Sequence, residues 1–449
     1  GGKAPPFAAR GASMNNPRKP ERKPERSGRP TTNRDDTGVA ARRAALKIVQ
    51  AVLDRGAPFD AATSHADDLP LPQDRGLARL LALTVLRWLP ELDALIDSAT
   101  PRPLPVDARA RHALRVALAG WLKLETPPHA VVATALPLVE GGPRRLVHGV
   151  LGSLIRRPAT LPAAPRLPSP FDVYWARDWG VAVAEAASAA LAEEPATDLT
   201  LKDPSQTEHW AQALDGISLA PGHVRTARKG SITEWPGFAE GAWWVQDLAA
   251  SLPARLLPAK AGDRVLDLCA APGGKTLQLA ARGCHVTALD VSDHRLERVR
   301  ENLARTGLTA DLVAADALRW QPEELFDHIL IDAPCSATGI FRRHPDVLHL
   351  KGTTDLAPVT LLQAALLRRA AAWLKPGGRL IYATCSLFPQ EGERIAERVI
   401  AGLPREMIEA SELPAGLKPA ADGWVRTLPG QVEGGIDGFF IARFRKLDS

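Results

Sequence analysis

The sequence lacks the features that mark secreted and membrane-spanning chains. Along its 449 residues no apolar run reaches the roughly 18 residues that a membrane span needs. The N-terminus lacks the charged-then-apolar pattern of a secretory signal. Only four cysteines occur and none are spaced as C-x-x-C, which argues against a zinc site. We therefore expect a cytoplasmic protein with reduced thiols, no membrane association and no bound metal.

Positive charge is concentrated at one end of the chain. Residues 1–38 contain nine Lys/Arg and four Asp/Glu, so their net charge of +5 equals that of the whole chain. This stretch is rich in Pro, Arg, Lys and Gly and is predicted to be a disordered basic tail. Residues 1–13, before Met14, are interpreted as a remnant of cloning. The rest of the chain is neutral, so any nucleic-acid surface on it must be a local patch.

The remaining residues divide into a helical part and a linker, followed by a mixed part. Apolar residues at helical spacing predict an all-helical domain over 39–157, whose helix 75–98 is expected to kink at Pro90. Five prolines mark residues 158–170 as a linker. Residues 171–255 are predicted to form a small α+β subdomain, with helices at 172–193 and 243–257.

From residue 256 to 449 strands and helices alternate, which predicts an α/β domain with a doubly wound parallel sheet. A glycine-rich turn follows its first strand. The stretch 265–276 reads Val-Leu-Asp-Leu-Cys-Ala-Ala-Pro-Gly-Gly-Lys-Thr. Such a turn lets the backbone approach a ligand closely, and the following helix N-terminus attracts an anion. It is not a phosphate-binding P-loop, because Cys269 stands where that motif needs glycine. Alone, the turn predicts a nucleotide-like ligand.

Acidic residues end the next three predicted strands. They are Asp290, Asp316 and Asp332. Carboxylates at successive strand ends line the crevice where ligands of this fold bind, and one about 20 residues past the glycine turn commonly binds a ribose. The alternative is that one or two of them only cap the following helices. Three carboxylates at equivalent positions on successive strands favour a ligand site.

Two cysteines lie beside the same crevice. Cys335 stands in Asp-Ala-Pro-Cys-Ser at 332–336, and Cys385 in Ala-Thr-Cys-Ser at 383–386. A lone cysteine is more often a small buried hydrophobe than a nucleophile. Two cysteines at the tips of adjacent predicted strands favour a catalytic role for Cys335 and Cys385. For Cys269 and Cys284 we prefer the structural interpretation, in which the cysteine is a small buried side chain.

Together these segments resemble the RNA cytosine-C5 methyltransferase family. The matching stretches are 243–247, 267–276, 332–346, 382–386 and 437–440. The helical residues 39–157 are similar to the antitermination factor NusB. The resemblance covers nearly the whole chain outside the tail. It implies a Rossmann-like class I S-adenosylmethionine methyltransferase domain preceded by an all-α NusB-like helical bundle.

The resemblance also implies a role for each site residue. Cys385 would be the nucleophile, Cys335 would assist product release, and Asp332 would hydrogen-bond the cytosine at N3, with Lys275 as an electrostatic partner. The expected S-adenosylmethionine site comprises Asp290, Arg295, Asp316, Asp332 and the loop residues Cys269, Ala270, Ala271, Pro272, Gly273, Gly274 and Lys275. The chemistry is consistent, because thiolate addition to C6 turns C5 into an enamine carbon that can attack a methyl sulfonium.

The resemblance implies that the partner is 16S rRNA and that the modified base is the cytosine conventionally numbered 967. We expect the protein to act as a monomer. That base is expected to be flipped out of its stack. Residues 171–255 are expected to contact the RNA. Arg342, Arg343 and His344 follow Cys335 and are predicted to hold flanking phosphates, the alternative being a solvated basic loop.

Three other functions remain open at this point. One is the same reaction on tRNA, and another is a DNA cytosine methyltransferase, in which Cys335 would attack. The third is an RNA-binding assembly factor without activity. Two departures from the family pattern, Leu-Lys-Asp at 201–203 and Gln-Glu-Gly-Glu at 390–393, predict altered RNA contacts.

Overall fold

The N-terminal part of the chain is a bundle of helices. The computed structural model describes residues 34–157, 159–350, 354–398 and 400–448. The helices are α1 (Arg34–Leu53), α2 (Phe59–Ala62), α3 (Pro72–Ser98), α4 (Arg109–Leu122), α5 (Pro128–Ala135) and α6 (Gly141–Arg156). Helix α1 includes residues 34–38, which were predicted to be disordered, so that boundary was wrong. The rest of the predicted tail lies outside the described residues.

Helix α3 bends where the sequence predicts a kink. Trp88 leaves the helical conformation at φ −109° and ψ 15°, two residues before Pro90. The proline ring removes a backbone donor and clashes with the preceding turn, which explains the bend. The apolar faces of these helices meet in a single core that includes Leu46, Leu81 and Leu114.

The middle of the chain joins two short helices to a small sheet. These elements are α7 (Phe171–Trp179), α8 (Val181–Leu191), β1 (Thr197–Leu201), α9 (Thr207–Ala213), β2 (His223–Thr226) and β3 (Trp243–Val245). The sheet is antiparallel with the order β2-β1-β3. Two expectations were wrong here. The helix predicted over 172–193 is broken at Gly180, where φ is +95°. Residues 243–245 pair with β1 instead of starting a helix.

The C-terminal part is built on a larger mixed sheet. Its elements are α10 (Leu248–Leu256), β4 (Arg264–Leu268), α11 (Gly274–Ala281), β5 (His285–Asp290), α12 (Asp293–Thr306), β6 (Asp311–Ala314), β7 (Phe326–Asp332), α13 (Ala357–Trp373), β8 (Leu374–Thr384), α14 (Glu393–Ala396), β9 (Arg405–Glu406), β10 (Val425–Thr427) and β11 (Phe439–Arg445).

The strand order places the ligand crevice. The order is β10-β11-β8-β7-β4-β5-β6, with β9 beside β11. Strands β8, β7, β4, β5 and β6 are parallel, whereas β11 and β10 continue the sheet antiparallel. The chain moves outward from β4 in both directions, so the order reverses between β4 and β7. Ligands of open α/β sheets bind at the carboxyl ends of the strands at such a reversal.

The helical bundle packs against the segment that follows Cys335. The backbone N–H of Phe59 donates to Asp346 Oδ2 at 2.9 Å. Arg87 Nη2 donates to the carbonyl of Arg342 at 2.8 Å, and His349 Nε2 to the carbonyl of Leu86 at 2.8 Å. The bundle therefore supports one wall of the crevice.

The described residues include neither a membrane-spanning helix nor a cluster of metal ligands. In these ranges no helix has both the length and the hydrophobicity to cross a bilayer. Nor do three or more His, Cys, Asp or Glu side chains within them gather into a group that would hold a metal ion.

Candidate active site

A cavity of about 530 Å³ opens at the carboxyl ends of the parallel strands. Of the predicted site residues it is lined by Ala270, Pro272, Gly274, Lys275, Asp332, Arg343, His344 and Cys385. Further residues complete the wall. Trp244 and Phe439 belong to stretches that carried the family resemblance, whereas Phe238, Asn302 and Arg305 were not singled out by any sequence pattern. The volume is in the range that small-molecule sites occupy. The cavity thus joins the glycine turn to one of the two cysteines.

The turn after β4 is held in shape from behind. Asp290, only 1% exposed, accepts from the backbone N–H of Ala271 at 3.2 Å. Arg295 Nη2 donates to the carbonyl of Ala271 at 3.0 Å. Gly273 has φ +102°, and a Cβ there would stand 2.9 Å from Val299 Cγ1. Only glycine fits this position, and the turn is therefore preorganised before any ligand binds.

The three predicted carboxylates differ in their surroundings. Asp290 and Asp332 are the last residues of β5 and β7. Asp316 lies two residues beyond β6, about half exposed, and accepts from the backbone N–H of Leu318 at 2.9 Å. All three remain on the side of the sheet where the turn lies. Of the three only Asp332 lines the cavity, while Asp290 binds the glycine turn directly. These two carboxylates fit S-adenosylmethionine, which carries two cationic groups and two ribose hydroxyls.

Lys275 and Asp332 form an ion pair at the centre of the site. Lys275 Nζ lies 2.6 Å from Asp332 Oδ2, and the lysine side chain is 9% exposed. Burial alone would lower the pKa of Lys275, but the charge and hydrogen bond of Asp332 outweigh it and the pKa is raised. Lys275 is therefore a fixed cation. Asp332 also lines the cavity, where its carboxylate can accept a hydrogen bond from a substrate.

The two cysteines that were predicted to take part in catalysis, Cys335 and Cys385, are in contact. Cys335 lies just after β7 and Cys385 just after β8, and their Sγ atoms are 3.5 Å apart. The hydrogen bond with Cys385, and then burial, raise the pKa of Cys335 well above its usual value. The two sulfur atoms share a hydrogen bond, and the raised pKa keeps Cys335 protonated as a thiol. Only Cys385 of the two lines the cavity.

The other two cysteines are structural. The Sγ of Cys284 donates to the carbonyl of Lys260 at 3.3 Å, and its side chain belongs to an apolar core cluster. Burial raises the pKa of the Cys269 thiol, which keeps it protonated. Both observations agree with the structural interpretation of these residues.

The prediction that Arg342 holds a phosphate was wrong. Its side chain is 3% exposed and lies between two buried carboxylates, pairing with Asp247 and with Asp437, the latter at 3.0 Å. Arg343 also pairs with Asp437 but remains 29% exposed and lines the cavity. His344 lines it as well. Arg342 therefore supports the cavity wall, whereas Arg343 and His344 face the cavity.

Sequence reasoning missed several residues that hold the site together. They are Asp247, Asp267, Glu391 and Asp437, all at most 2% exposed. Burial raises the pKa of Asp267 to about 7, an effect partly offset by the hydrogen bond from Thr276 Oγ1 at 2.6 Å. Asp267 and Asp437 belong to the stretches that carried the family resemblance, which was the available signal. Nothing local in the sequence shows that these acids are buried.

Known proteins are similar to this chain along most of its length. Residues 254–445 match the family "16S rRNA methyltransferase RsmB/F", and residues 39–156 match the NusB family. The chain is 34% identical to the ribosomal RNA small subunit methyltransferase B of Klebsiella pneumoniae in an alignment of 436 positions that covers 91% of this chain and 98% of that protein. It is also 34% identical to the protein of that name from Pseudomonas syringae pv. tomato, covering 90% and 97%.

Solved structures share the fold. The crystal structure of PH0851 superposes with a TM-score of 0.73 at 22% identity, covering 91% of this chain and 99% of that one. The cofactor is S-adenosylmethionine, and the fold is a NusB-like helical domain followed by a Rossmann-like methyltransferase domain. With its cavity, its cysteine pair and its full-length relatives taken together, the chain belongs to the ribosomal RNA small subunit methyltransferase B family and is an S-adenosylmethionine-dependent RNA methyltransferase.

Proposed function

We propose that the enzyme methylates C5 of one cytosine in 16S rRNA through a covalent bond between Cys385 Sγ and C6. The observation that carries this proposal is the 3.5 Å contact between the two cysteines at the edge of a cavity that also holds the Lys275–Asp332 pair. A nucleophile that faces the cavity, with a protonated thiol behind it, suits addition to a base and later departure from it.

The residues divide the work of this reaction. Sγ of Cys385 bonds to C6 as its thiol proton passes through water to ring N3, and the carboxylate of Asp332 accepts a hydrogen bond from the new N–H. S-adenosylmethionine, when bound, supplies the methyl group that C5 takes up. Water takes the proton of C5 as the C6–S bond breaks, the thiol of Cys335 gives its proton to the departing sulfur of Cys385, and the proton of N3 returns through water to Cys335. In balance one methyl group enters the base and one proton leaves.

The proposed RNA surface continues from this site. Arg343 and His344 line the cavity, where they are placed to meet the flanking nucleotides of a flipped base. Arg144 and Arg145 are exposed on helix α6 of the bundle and offer a second positive surface. The proposed substrate places the reaction in the cytoplasm.

The test is methyl transfer from labelled S-adenosylmethionine to unmodified 16S rRNA, with tRNA as the competing substrate. We expect one 5-methylcytosine, at the cytosine numbered 967, by bisulfite sequencing and nucleoside mass spectrometry. Transfer to tRNA alone, or a product methylated on nitrogen, would refute the proposal. Cofactor binding without transfer to naked rRNA or to 30S particles would favour a non-catalytic assembly factor.

Asp290→Asn should weaken cofactor binding and leave RNA binding unchanged. A carboxylate that accepts hydrogen bonds contributes about 1.5–3 kcal/mol each, so we expect the dissociation constant for S-adenosylmethionine to rise at least about tenfold. Isothermal titration calorimetry measures this directly. The matched control is Asp293→Asn, whose carboxylate is 69% exposed and pairs with Arg300. Equal affinities in the two variants would contradict the assignment of Asp290 to the cofactor site.

A further inference from the structure

Glu391 is a buried acid that links two segments, the Cys335 loop after strand β7 and the Cys385 loop after strand β8. It is 0% exposed, yet it lies only six residues beyond Cys385 and outside the cavity lining. Its Oε1 accepts from the backbone N–H of Ser336 at 2.8 Å and from Gln363 Nε2 at 3.2 Å. Its Oε2 accepts from Ser336 Oγ at 2.6 Å and from the hydroxyl of Ser386. A buried carboxylate with four donors is fully compensated.

Two serines connect the carboxylate of Glu391 to the neighbours of both cysteines. Ser336 follows Cys335 and Ser386 follows Cys385, so the carboxylate binds the residue next to each sulfur-bearing residue. The phenol of Tyr382 in strand β8 donates to the carbonyl of Glu391 at 2.7 Å and fixes the backbone of the acid. Thr338 adds a further link, because its Oγ1 accepts from the N–H of Leu387 at 3.0 Å.

We propose that Glu391 is a positioning residue that holds the Cys335 loop against the Cys385 loop, so that the two sulfur atoms stay in contact through the reaction. The inference rests on the proposed function and assigns a role to a residue that does not touch the substrate. The reaction needs this constraint because the nucleophile must first reach C6 and then depart beside the second thiol. Displacement of a reacting group by about 1 Å costs on the order of 100-fold in rate.

The charge of Glu391 acts in the same direction as its hydrogen bonds. Besides the hydrogen bond with Cys385 and burial, the negative charge of Glu391 raises the pKa of Cys335. Cys335 is therefore kept as a thiol while Cys385 acts as the nucleophile. The same residue sets both the distance between the sulfur atoms and the protonation of the second one.

The loops do not depend on Glu391 alone for their fold. The N–H of Gly339 donates to the carbonyl of Cys385 at 2.8 Å, and the N–H of Ala333 to the carbonyl of Ala383 at 2.9 Å. These backbone bonds remain in Glu391→Gln, which keeps the size and one acceptor oxygen but loses the charge. The variant should therefore fold and display a defect in positioning.

The first experiment is steady-state methyl transfer by full-length Glu391→Gln, with Glu397→Gln as the control. Glu397 is exposed and pairs with Arg394 at 3.0 Å. We expect kcat to fall about 100-fold while KM for RNA and for S-adenosylmethionine stay within about twofold, because positioning acts in the transition state and not on binding. A kcat equal to that of the control, or a rise in KM alone, would overturn the proposal.

The second experiment tests, without any catalysis, whether the sulfur atoms of Cys335 and Cys385 stay in contact. Diamide oxidises two neighbouring thiols to a disulfide, and the two protons and two electrons reduce its N=N bond. We expect the Cys335–Cys385 disulfide, followed by mass spectrometry, to form about tenfold more slowly in Glu391→Gln than in Glu397→Gln. Equal rates would overturn the proposal. A wild-type enzyme that makes no 5-methylcytosine would refute the proposed function while this measurement still decided the role of Glu391.

Serine variants cover the case in which Glu391→Gln fails to fold. Ser336→Ala and Ser386→Ala each remove one hydroxyl from the carboxylate and should each lower kcat without a change in KM. In the double variant Ser386→Ala/Glu391→Gln the serine change should cost less than it does alone, because the shared contact is already lost. Unchanged kcat in both serine variants, or strict additivity, would contradict the proposal.

Discussion

Cys385→Ala should lose methyl transfer altogether and form no covalent complex with RNA, whereas Cys335→Ala should accumulate one. The expected difference follows from the positions of the two sulfur atoms. Cys385 lines the cavity and can reach a base, while Cys335 lies 3.5 Å behind it and has a pKa raised by that contact and by burial. Without Cys335 the first bond still forms, but the departing sulfur lacks its proton donor.

The measurement combines two readouts on the same samples. Transfer of labelled methyl groups to 16S rRNA gives the rate, and a band of retarded mobility on a denaturing gel gives the covalent complex. Removal of a nucleophile commonly costs several orders of magnitude in kcat, so Cys385→Ala should fall to background. Cys335→Ala should bind RNA covalently with the methyl group already on the base, because its block follows transfer.

Cys284→Ala is the matched control, since that thiol lies in an apolar core cluster away from the cavity. It should retain wild-type activity. A reversed pattern, with no adduct in Cys335→Ala and an adduct in Cys385→Ala, would assign the nucleophile to the Asp-Ala-Pro-Cys segment and favour the mechanism of DNA cytosine methyltransferases. Adducts in both variants would contradict a fixed division of roles.

The positions of the candidate site residues could be predicted from the sequence because these residues lie at strand ends. Apolar strands and the residues that follow them can be recognised locally, and parallel strands bring their carboxyl ends to one edge of a sheet. Asp332 and Cys385 were therefore expected beside the glycine turn, and they lie there. The kink at Pro90 was equally predictable, because proline acts on its own helix.

Properties that depend on distant partners were not predictable. Residues 243–245 read as part of a helix, but they form a strand because they can pair with β1, more than 40 residues earlier in the chain. Short apolar runs do not distinguish the two structures. Arg342 read as a phosphate ligand because its two partners are each 95 residues away along the chain. Likewise, Glu391 meets Ser336 across 55 residues.

Arg342→Met should lower the free energy of unfolding by about 3–5 kcal/mol, because it leaves the buried carboxylates of Asp247 and Asp437 without their shared cation. Both side chains are at most 1% exposed. Asp247 also begins helix α10, where its Oδ1 accepts from the N–H of Ala249 at 2.9 Å. Chemical denaturation of the full-length protein measures the loss. The control Arg319→Met, on a side chain that is 90% exposed, should change stability by less than about 0.5 kcal/mol.

The pH dependence of this loss has a definite sign. Burial, and then the charge of Asp437, raise the pKa of Asp247 in the folded protein, and Arg342 opposes them. A carboxyl whose pKa is raised on folding contributes stability below its unfolded value of about 3.9 and loses it as the pH rises through the folded value. Removal of Arg342 raises the pKa further, so the deficit of Arg342→Met should grow as the pH rises above about 4.

A second substitution distinguishes the structural role of Arg342, which neutralises two buried carboxylates, from a contact between Arg342 and RNA. In Arg342→Met/Asp247→Asn one of the two repelling charges is gone while the cap of helix α10 keeps its acceptor, so part of the lost stability should return. If Arg342 instead held a phosphate, Arg342→Met would weaken RNA binding at unchanged stability, and the second change would restore nothing. Because Arg343 next to it lines the cavity and also pairs with Asp437, Arg343→Met should weaken RNA binding, and it should lower stability by less than Arg342→Met because Asp437 keeps Arg342 as a partner. The pair of neighbours therefore tests, on one loop, which arginine supports the wall and which one meets the substrate.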